Sequence, residues 1–313
     1  METIKQQADT LLLVRPINFG FNPETAVNNA FQNRDASVEA QRQALREFDG
    51  FVDVLSQHGI DVLVVPDTPE PHTPDSIFPN NWFSTHVDGT LAFYPLFAAN
   101  RRRERKQGVV DAIRARFDIR RTLDYTEYEL EGLFLEGTGS LVFDRVNRVA
   151  YACASPRTDF RLAERCCGDL GVRLVFFQAL DRHGVPIYHT NVMMAVADRY
   201  VVINVSSLTP SDRDRVLEAI AQTDKAVVDI SHRQMEHFAG NMLQVRNRDG
   251  RSFMVMSSQA HDSLSSTQIE AISAFDTIIH APIPTIERLG GGSARCMLAE
   301  IFLPAGEPKQ TVP

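Results

Sequence analysis

Five residues at nearly equal spacing carry the side chains that can do chemistry in this sequence. Asn81 ("FPNNWFS"), Glu136 ("FLEGTGSLVF"), His189 ("IYHTNVMMAV"), Asn241 ("FAGNMLQV") and Cys296 ("SARCMLAEI") are separated by 55, 53, 52 and 55 residues. A cysteine thiolate is a nucleophile, and forming it at neutral pH needs a base or an electropositive setting. A histidine moves protons between nucleophile, leaving group and water. A carboxylate orients that histidine or accepts N–H groups from a substrate. The glycines of "LGGGSARCM", ahead of Cys296, let the backbone approach a ligand closely. Taken singly, each residue also has a plain explanation. A cysteine before an apolar run is commonly a small core residue, and "EGTG" is a common turn. Their shared phase is what unites them.

That phase implies a repeated scaffold. A helix-patterned passage, "VEAQRQALREFDGFVDVLSQHG", places Leu45, Phe48, Val52 and Leu55 on one face and stops at Gly59. The apolar run "IDVLVVP" follows. Similar helix-then-strand passages recur in "VVDAIRARFDIRRTL", "RLAERCCGDLGVRLVFF", "SDRDRVLEAIAQTDKAVVDI" and "SSTQIEAISAFDTIIHAP". Their strands start near Ile60, Asp118, Val172, Lys225 and Thr277. Four hairpins alternate with these passages, turning at Asp88-Gly89, near Asn147, at Asp198 and at Asp249-Gly250. Five helix–strand passages need a fifth hairpin. "CMLAEIFLP" lacks a following strand and "TLLLVRP" lacks a preceding one, so the two are expected to pair. No such module buries both its faces alone. The pattern predicts an α/β protein, a five-bladed α/β propeller of repeated ββαβ modules with pseudo-fivefold symmetry. A single domain spans residues 1–313, with the propeller over about 10–304 and a flexible tail over 305–313. In such a ring the five chemical residues converge on the axis.

Composition narrows the function. The 313 residues are 43% hydrophobic and 23% charged, with a net charge of −8, which argues against phosphate backbones or anionic membranes as partners. "RRRERK" (Arg101–Lys106) is the densest basic run; without interleaved aromatic residues it reads as the solvated start of a helix. The polar N-terminal stretch shows no signal peptide and no apolar run is long enough to span a bilayer. Cysteines 153, 166, 167 and 296 form neither CxxC pairs nor a disulfide framework, so a cytoplasmic setting is expected. "HRQMEH" has neither zinc-protease spacing, and GxSxG, P-loop and strand-to-helix GxGxxG motifs are absent. No metal and no cofactor are required.

The segments "LEGTGS", "YHTN" and "GGGSARCM", in this order and spacing, resemble the Glu-Gly-Gly-Asp, His-x-Asp and glycine-rich cysteine segments of the guanidine-modifying, or pentein, superfamily. The resemblance runs from "LLLVRP" to "CMLAEIFLP". It implies that Cys296 attacks the central carbon of a guanidino or ureido group, that His189 is the general acid and base, and that Glu136 holds substrate N–H groups or steadies His189. Where the superfamily has substrate-binding aspartates, this sequence has Asn81, or its neighbour Asn80, and Asn191. Asn241 completes the set and Asp75 ("TPDSIFPNN") is a further carboxylate in reach. Carboxylates suit a cationic guanidinium, whereas amides both donate and accept and suit a neutral ureido group.

The full pattern is most similar to the citrulline-utilisation (citrullinase) branch. It implies hydrolysis of L-citrulline to L-ornithine, ammonia and carbon dioxide through a covalent cysteine intermediate. Arginine deiminase-like or amidinotransferase activity is one alternative, and a non-catalytic binding protein of the same fold is another. Arg15 and Arg295 are candidates for holding the substrate carboxylate. The expected partner is a small amino acid; homo-oligomerisation is left open.

Overall fold

A computed structural model describes residues 4–29, 31–32 and 38–306. Fifteen short strands among them form five three-stranded sheets. The first sheet joins β1 (Thr10–Arg15) to β2 (Asp61–Pro66) in parallel and to β15 (Ala299–Ile301) in antiparallel. The second contains β3 (Phe83–Thr85), β4 (Thr90–Phe93) and β5 (Arg121–Asp124). The third contains β6 (Val142–Asp144), β7 (Val149–Cys153) and β8 (Arg173–Phe177). The fourth contains β9 (Met194–Val196), β10 (Tyr200–Ile203) and β11 (Ala226–Asp229). The fifth contains β12 (Leu243–Arg246), β13 (Ser252–Ser257) and β14 (Thr277–Ala281).

Each sheet has one plan. The middle strand pairs antiparallel with one neighbour and parallel with the strand reached through a helix, because a parallel partner needs a long crossover and an antiparallel one does not. The crossover helices are Val38–Gln57, Gln107–Arg116, Phe160–Leu170, Pro210–Ala221 and Ser266–Ser273. These five small sheets fit repeated ββαβ modules. The first hairpin-like pair is split as expected: Thr10 faces Ile301 and Leu12 faces Ala299 across β1 and β15. Leu11, Leu12 and Leu13 are wholly buried, which is why this strand reads as a continuous apolar run rather than an alternation.

Hydrogen bonds and shared cores tie sheet to sheet. Thr85 Oγ1 donates to Glu300 O at 2.9 Å and accepts from Phe302 N–H at 2.8 Å. Ala92 and Tyr94 share a core with Leu141, Ala150 and Leu162. Gln6 Nε2 donates to Phe143 O at 2.8 Å and to Val196 O at 3.1 Å. Gln244 Oε1 accepts from Asp198 N–H at 2.7 Å. Arg246 N–H donates to Ala8 O at 3.3 Å.

Two expectations need correction. "RRRERK" is not a solvated helix start: Arg101–Glu104 is a 3-10 turn in which Arg101 and Glu104 are buried, because each neutralises the other. The strand expected near Asp118 begins at Arg121; its mostly exposed residues carry little apolar signal. Of the expected tail, Ala305 bridges Phe117 and Gly306 N–H bonds Arg116 O at 2.9 Å, while 307–313 lie outside the described residues. No helix among the described residues is long and apolar enough to cross a membrane.

Candidate active site

The five phase-related residues do not open strands directly. Four sit on single helical turns placed just before a sheet: Asn81 ends Pro79–Asn81, Glu136 caps Gly137–Ser140, His189 caps Thr190–Met193, and Cys296 lies in Ala294–Met297. Asn241 lies in the loop before β12. Such a turn reverses the chain tightly and holds the preceding side chain away from the strand that follows. All five residues are buried.

Glu136 and His189 form the shortest link. Glu136 Oε2 lies 2.7 Å from His189 Nε2, and Glu136 Oε1 accepts from Phe97 N–H at 3.0 Å. Burial alone would raise the Glu136 carboxyl. Arg157 at 3.4 Å, the His189 hydrogen bond and Arg101 at 4.0 Å overcome that and hold it well below the usual carboxylate range. An ionised carboxylate only accepts, so His189 donates from Nε2 and keeps its lone pair on Nδ1. Burial, helped by Arg157 and Arg101 and opposed by Glu136, brings the His189 pKa down to about 4. At neutral pH the ring is a neutral base.

Cys296 Sγ is flanked by amides. Asn241 Nδ2 is 3.3 Å away, Asn241 Oδ1 3.6 Å and Asn191 Nδ2 3.7 Å. Asn241 Nδ2 also donates to Asn191 O at 2.9 Å, which locks the two together. Cys296, His189, Asn81 and Asp75 line one small cavity with Arg101, Arg157, Tyr188 and the glycines 290–292. Asn81 Oδ1 accepts from Arg101 Nη1 at 2.7 Å, while Asn81 Nδ2 has no partner among the described residues. Asn80, wholly buried beside it, has neither amide atom paired. Asp75 Oδ2 accepts from Asn22 at 2.7 Å and Thr25 at 3.1 Å, and its Oδ1 is unpaired. Burial raises the Asp75 carboxyl against the pull of Arg101.

Both carboxylate-binding candidates fall elsewhere. Arg15 is largely exposed and paired bidentately with Asp49, on a strand end remote from the cavity lining. Arg295 is next to Cys296 in sequence, but successive residues on a helical turn point about 100° apart. Its guanidinium donates to Leu298 O at 2.8 Å and Glu300 Oε2 at 2.9 Å. Sequence reasoning missed Arg101 and Arg157 instead. Arg157 Nη2 donates to Thr25 O at 2.9 Å and also to Asn28, and its guanidinium faces the Tyr188 ring at 5.0 Å. The one signal for Arg101 was a glutamate three residues on; Arg157, in "SPRTDF", offered none. The segment "NPETAVNN" (22–29) was also missed. Asn29 Nδ2 bonds Gly291 O at 3.1 Å, and Tyr188 OH bonds the same carbonyl at 2.6 Å. No group of three or more metal-ligating side chains occurs among the described residues.

A buried Cys296 and His189 on one cavity, with Glu136 bonded to His189 and five small α/β sheets around them, fit the pentein-type guanidino-group hydrolases. The chain belongs to the N,N-dimethylarginine dimethylhydrolase family: the model of that family described as "N,N dimethylarginine dimethylhydrolase, eukaryotic" matches residues 15–303. A search of curated proteins finds no match. Among solved structures, the chain is similar to apo ArgZ, an arginine dihydrolase from the ornithine–ammonia cycle in cyanobacteria, with a TM-score of 0.73 and 17% identity, covering 96% of this chain and 41% of that one. The N-terminal domain of ArgZ, as a substrate-bound cysteine-to-serine variant, gives 0.73 and 17%, covering 94% of this chain and 99% of that domain. A dimethylarginine dimethylaminohydrolase histidine-to-glycine variant, captured as an adduct with S-methyl-L-thiocitrulline, gives 0.63 and 14%, covering 94% and 100%. At these identities the likeness carries the fold. The chain thus spans well under half of full-length ArgZ and nearly all of its N-terminal domain.

Proposed function

We propose that the protein hydrolyses the ureido group of L-citrulline, with Cys296 as nucleophile, His189 as acid and base, and Glu136 fixing His189. The amide donors beside Cys296 Sγ carry this reading. A ureido carbon bears an oxygen that becomes an oxyanion on attack, and Asn191 and Asn241 supply N–H groups beside the attacking sulfur. The single domain and the closure of the five sheets into a ring are part of the same proposal, supported by four side-chain or core links and one backbone link, Arg246 N–H to Ala8 O, between neighbouring sheets.

The thiol proton passes to His189 Nδ1 and sulfur bonds the ureido carbon. The C–Nδ bond breaks, and the amine takes the proton from His189 and leaves as ornithine. Water, deprotonated by His189, attacks the carbamoyl thioester. The C–S bond breaks, restoring the thiol, and the carbamate released decomposes to ammonia and carbon dioxide. The covalent intermediate divides one hard displacement into two easier ones. Arg157 is placed to receive the substrate carboxylate, since its partners Thr25 O and Asn28 belong to the segment covering the site. The cavity has room for only about 10 Å³ as it stands, so the reading includes an opening of the site, with the 22–29 segment, whose Thr25 and Asn29 line it, as the part that moves.

Arginine dihydrolysis is the second reading, favoured by the unpaired Asp75 Oδ1, which can face a guanidinium. Product analysis with citrulline, arginine and N,N-dimethylarginine decides. Ornithine and ammonia from citrulline support the first reading. Ornithine and ammonia from arginine support the second and overturn the first, and so does citrulline released from either guanidino substrate.

A further inference from the structure

Arg101 and Glu104 lie on one 3-10 turn and are both buried beside the catalytic cavity. Their contact is bidentate: Arg101 Nε to Glu104 Oε1 at 2.8 Å, and Nη2 to Oε2 at 2.9 Å. This fork fixes the guanidinium plane. Held so, Arg101 turns Nη1 to Asn81 Oδ1 at 2.7 Å and Nη2 to Phe78 O at 3.2 Å.

The consequence falls on Asn81. A side-chain amide has one accepting and one donating end, and rotation by half a turn exchanges them. A cation beside Oδ1 forbids the exchange. The end left over is Nδ2, which is buried and has no partner, on a residue that lines the cavity. A hydrogen-bond donor is therefore held ready for the substrate. It pairs with a carbonyl oxygen and repels an N–H.

Two other carboxylates compete for Arg101. Asp75 Oδ2 is 3.9 Å from its Nε and Glu136 Oε2 is 4.0 Å from its Nη1. With Glu104 weakened as an acceptor, Arg101 has near partners to turn toward, and Asn81 is released to rotate. Burial pushes the Glu104 carboxyl up to about 7, against the pull of Arg101 and with the help of Asp75 and Glu136.

We infer that Glu104 is a positioning residue which, through Arg101, locks the Asn81 amide donor-first and so selects a ureido over a guanidino group. This rests on the ureido reading above. The test uses the full chain carrying Cys296→Ala, so that binding is read without turnover. Dissociation constants for L-citrulline and L-arginine are measured by calorimetry, alone and with Glu104→Gln or Glu104→Asp. The aspartate variant keeps the charge but is too short for the fork, and it serves where the glutamine variant does not fold. The preference for citrulline is expected to fall by about tenfold in either variant, the scale of one hydrogen-bond pairing. A purely structural role would weaken both ligands together and leave their ratio unchanged. An unchanged ratio, beside a parent that prefers citrulline, overturns the inference alone. A parent that prefers arginine overturns the ureido reading and the inference with it.

Discussion

Glu136 Oε2 sits 2.7 Å from His189 Nε2, and each residue caps a single helical turn at the same point of neighbouring modules. The carboxylate fixes which ring nitrogen carries the proton. Replacing it with Glu136→Gln keeps the shape but lets the amide bond either tautomer. We expect kcat to fall by about 10²–10⁴-fold with little change in KM, by the general cost of a misassigned catalytic histidine. Steady-state kinetics check this; an effect confined to KM would place Glu136 in substrate binding instead.

The four cysteines should separate cleanly by reactivity. Burial pushes Cys153 up to about 11 and Cys166 up to about 12, and Cys167 is also raised, by burial and then by its neighbour Cys166. Iodoacetamide at pH 7.5 followed by peptide mass spectrometry should modify Cys296 first, with activity lost in step. Modification of Cys153 or Cys166 at the same rate would remove the case for a special thiol. Cys296→Ala is expected to abolish turnover while leaving the fold intact.

Two glycines contrast function with framework. A Cβ at Gly139 would meet Asn81 Nδ2 at 2.5 Å and His189 Nδ1 at 2.9 Å, so Gly139→Ala displaces two cavity side chains. Activity should drop by about 10²-fold, the cost of misplacing a reacting group by roughly an ångström, with a modest change in melting temperature. A Cβ at Gly240 would meet Val192 O at 2.3 Å, which is backbone. Gly240→Ala should chiefly lower the melting temperature. Equal losses of stability in the two variants would contradict this division.

The arginines divide similarly. Arg157→Ala should raise KM by about 10–100-fold, as expected when a charge-assisted partner of a carboxylate is lost. Arg295→Ala removes bonds to Leu298 O and Glu300, so it should lower the melting temperature and leave KM within about twofold. If KM rises more for Arg295→Ala than for Arg157→Ala, the carboxylate assignment is wrong.

Glu287 gives a prediction in pH. Burial, opposed by hydrogen bonds from Ser257 and Ser293, pushes its carboxyl up to about 7 from an ordinary 4.5. The folded state therefore holds this proton more tightly than the unfolded state, and its contribution is full below about 4.5 and lost as pH rises through about 7. Glu104 acts in the same sense. His189, lowered to about 4 from 6.5, acts oppositely, costing stability as pH falls between those values. Glu287→Gln should thus be more stable than wild type at pH 8 and lose that advantage at pH 5. Melting curves at the two pH values test it, and a pH-independent difference would count against it.

Most of the scaffold was legible because its signals are local. Helix periodicity stops at Gly59, and turn pairs such as Asp88-Gly89 and Asp249-Gly250 do join antiparallel strands. The split pair of β1 and β15 followed from counting unmatched strands. Glu136, His189 and Cys296 share a phase in the sequence, and the fold sets Glu136 against His189 and His189 with Cys296 on one cavity. Arg101 was hidden because a basic run looks solvated, and only the fold shows Glu104 turned inward beside it. Arg157 meets Thr25 and Asn28 across more than a hundred residues, a relation no local pattern encodes. Arg295 misled through adjacency, since neighbours in sequence diverge on a helical turn.

The pairing of β1 with β15 also sets an order of events. A ribosome delivers β15 only after all the residues that separate it from β1, and Cys296 emerges just ahead of β15. Until β15 is made, β1 has β2 along one edge and no strand on the other. Cys296 arrives after Asn81, Glu136, His189 and Asn241, so the proposed nucleophile is delivered to a site whose other members are already made.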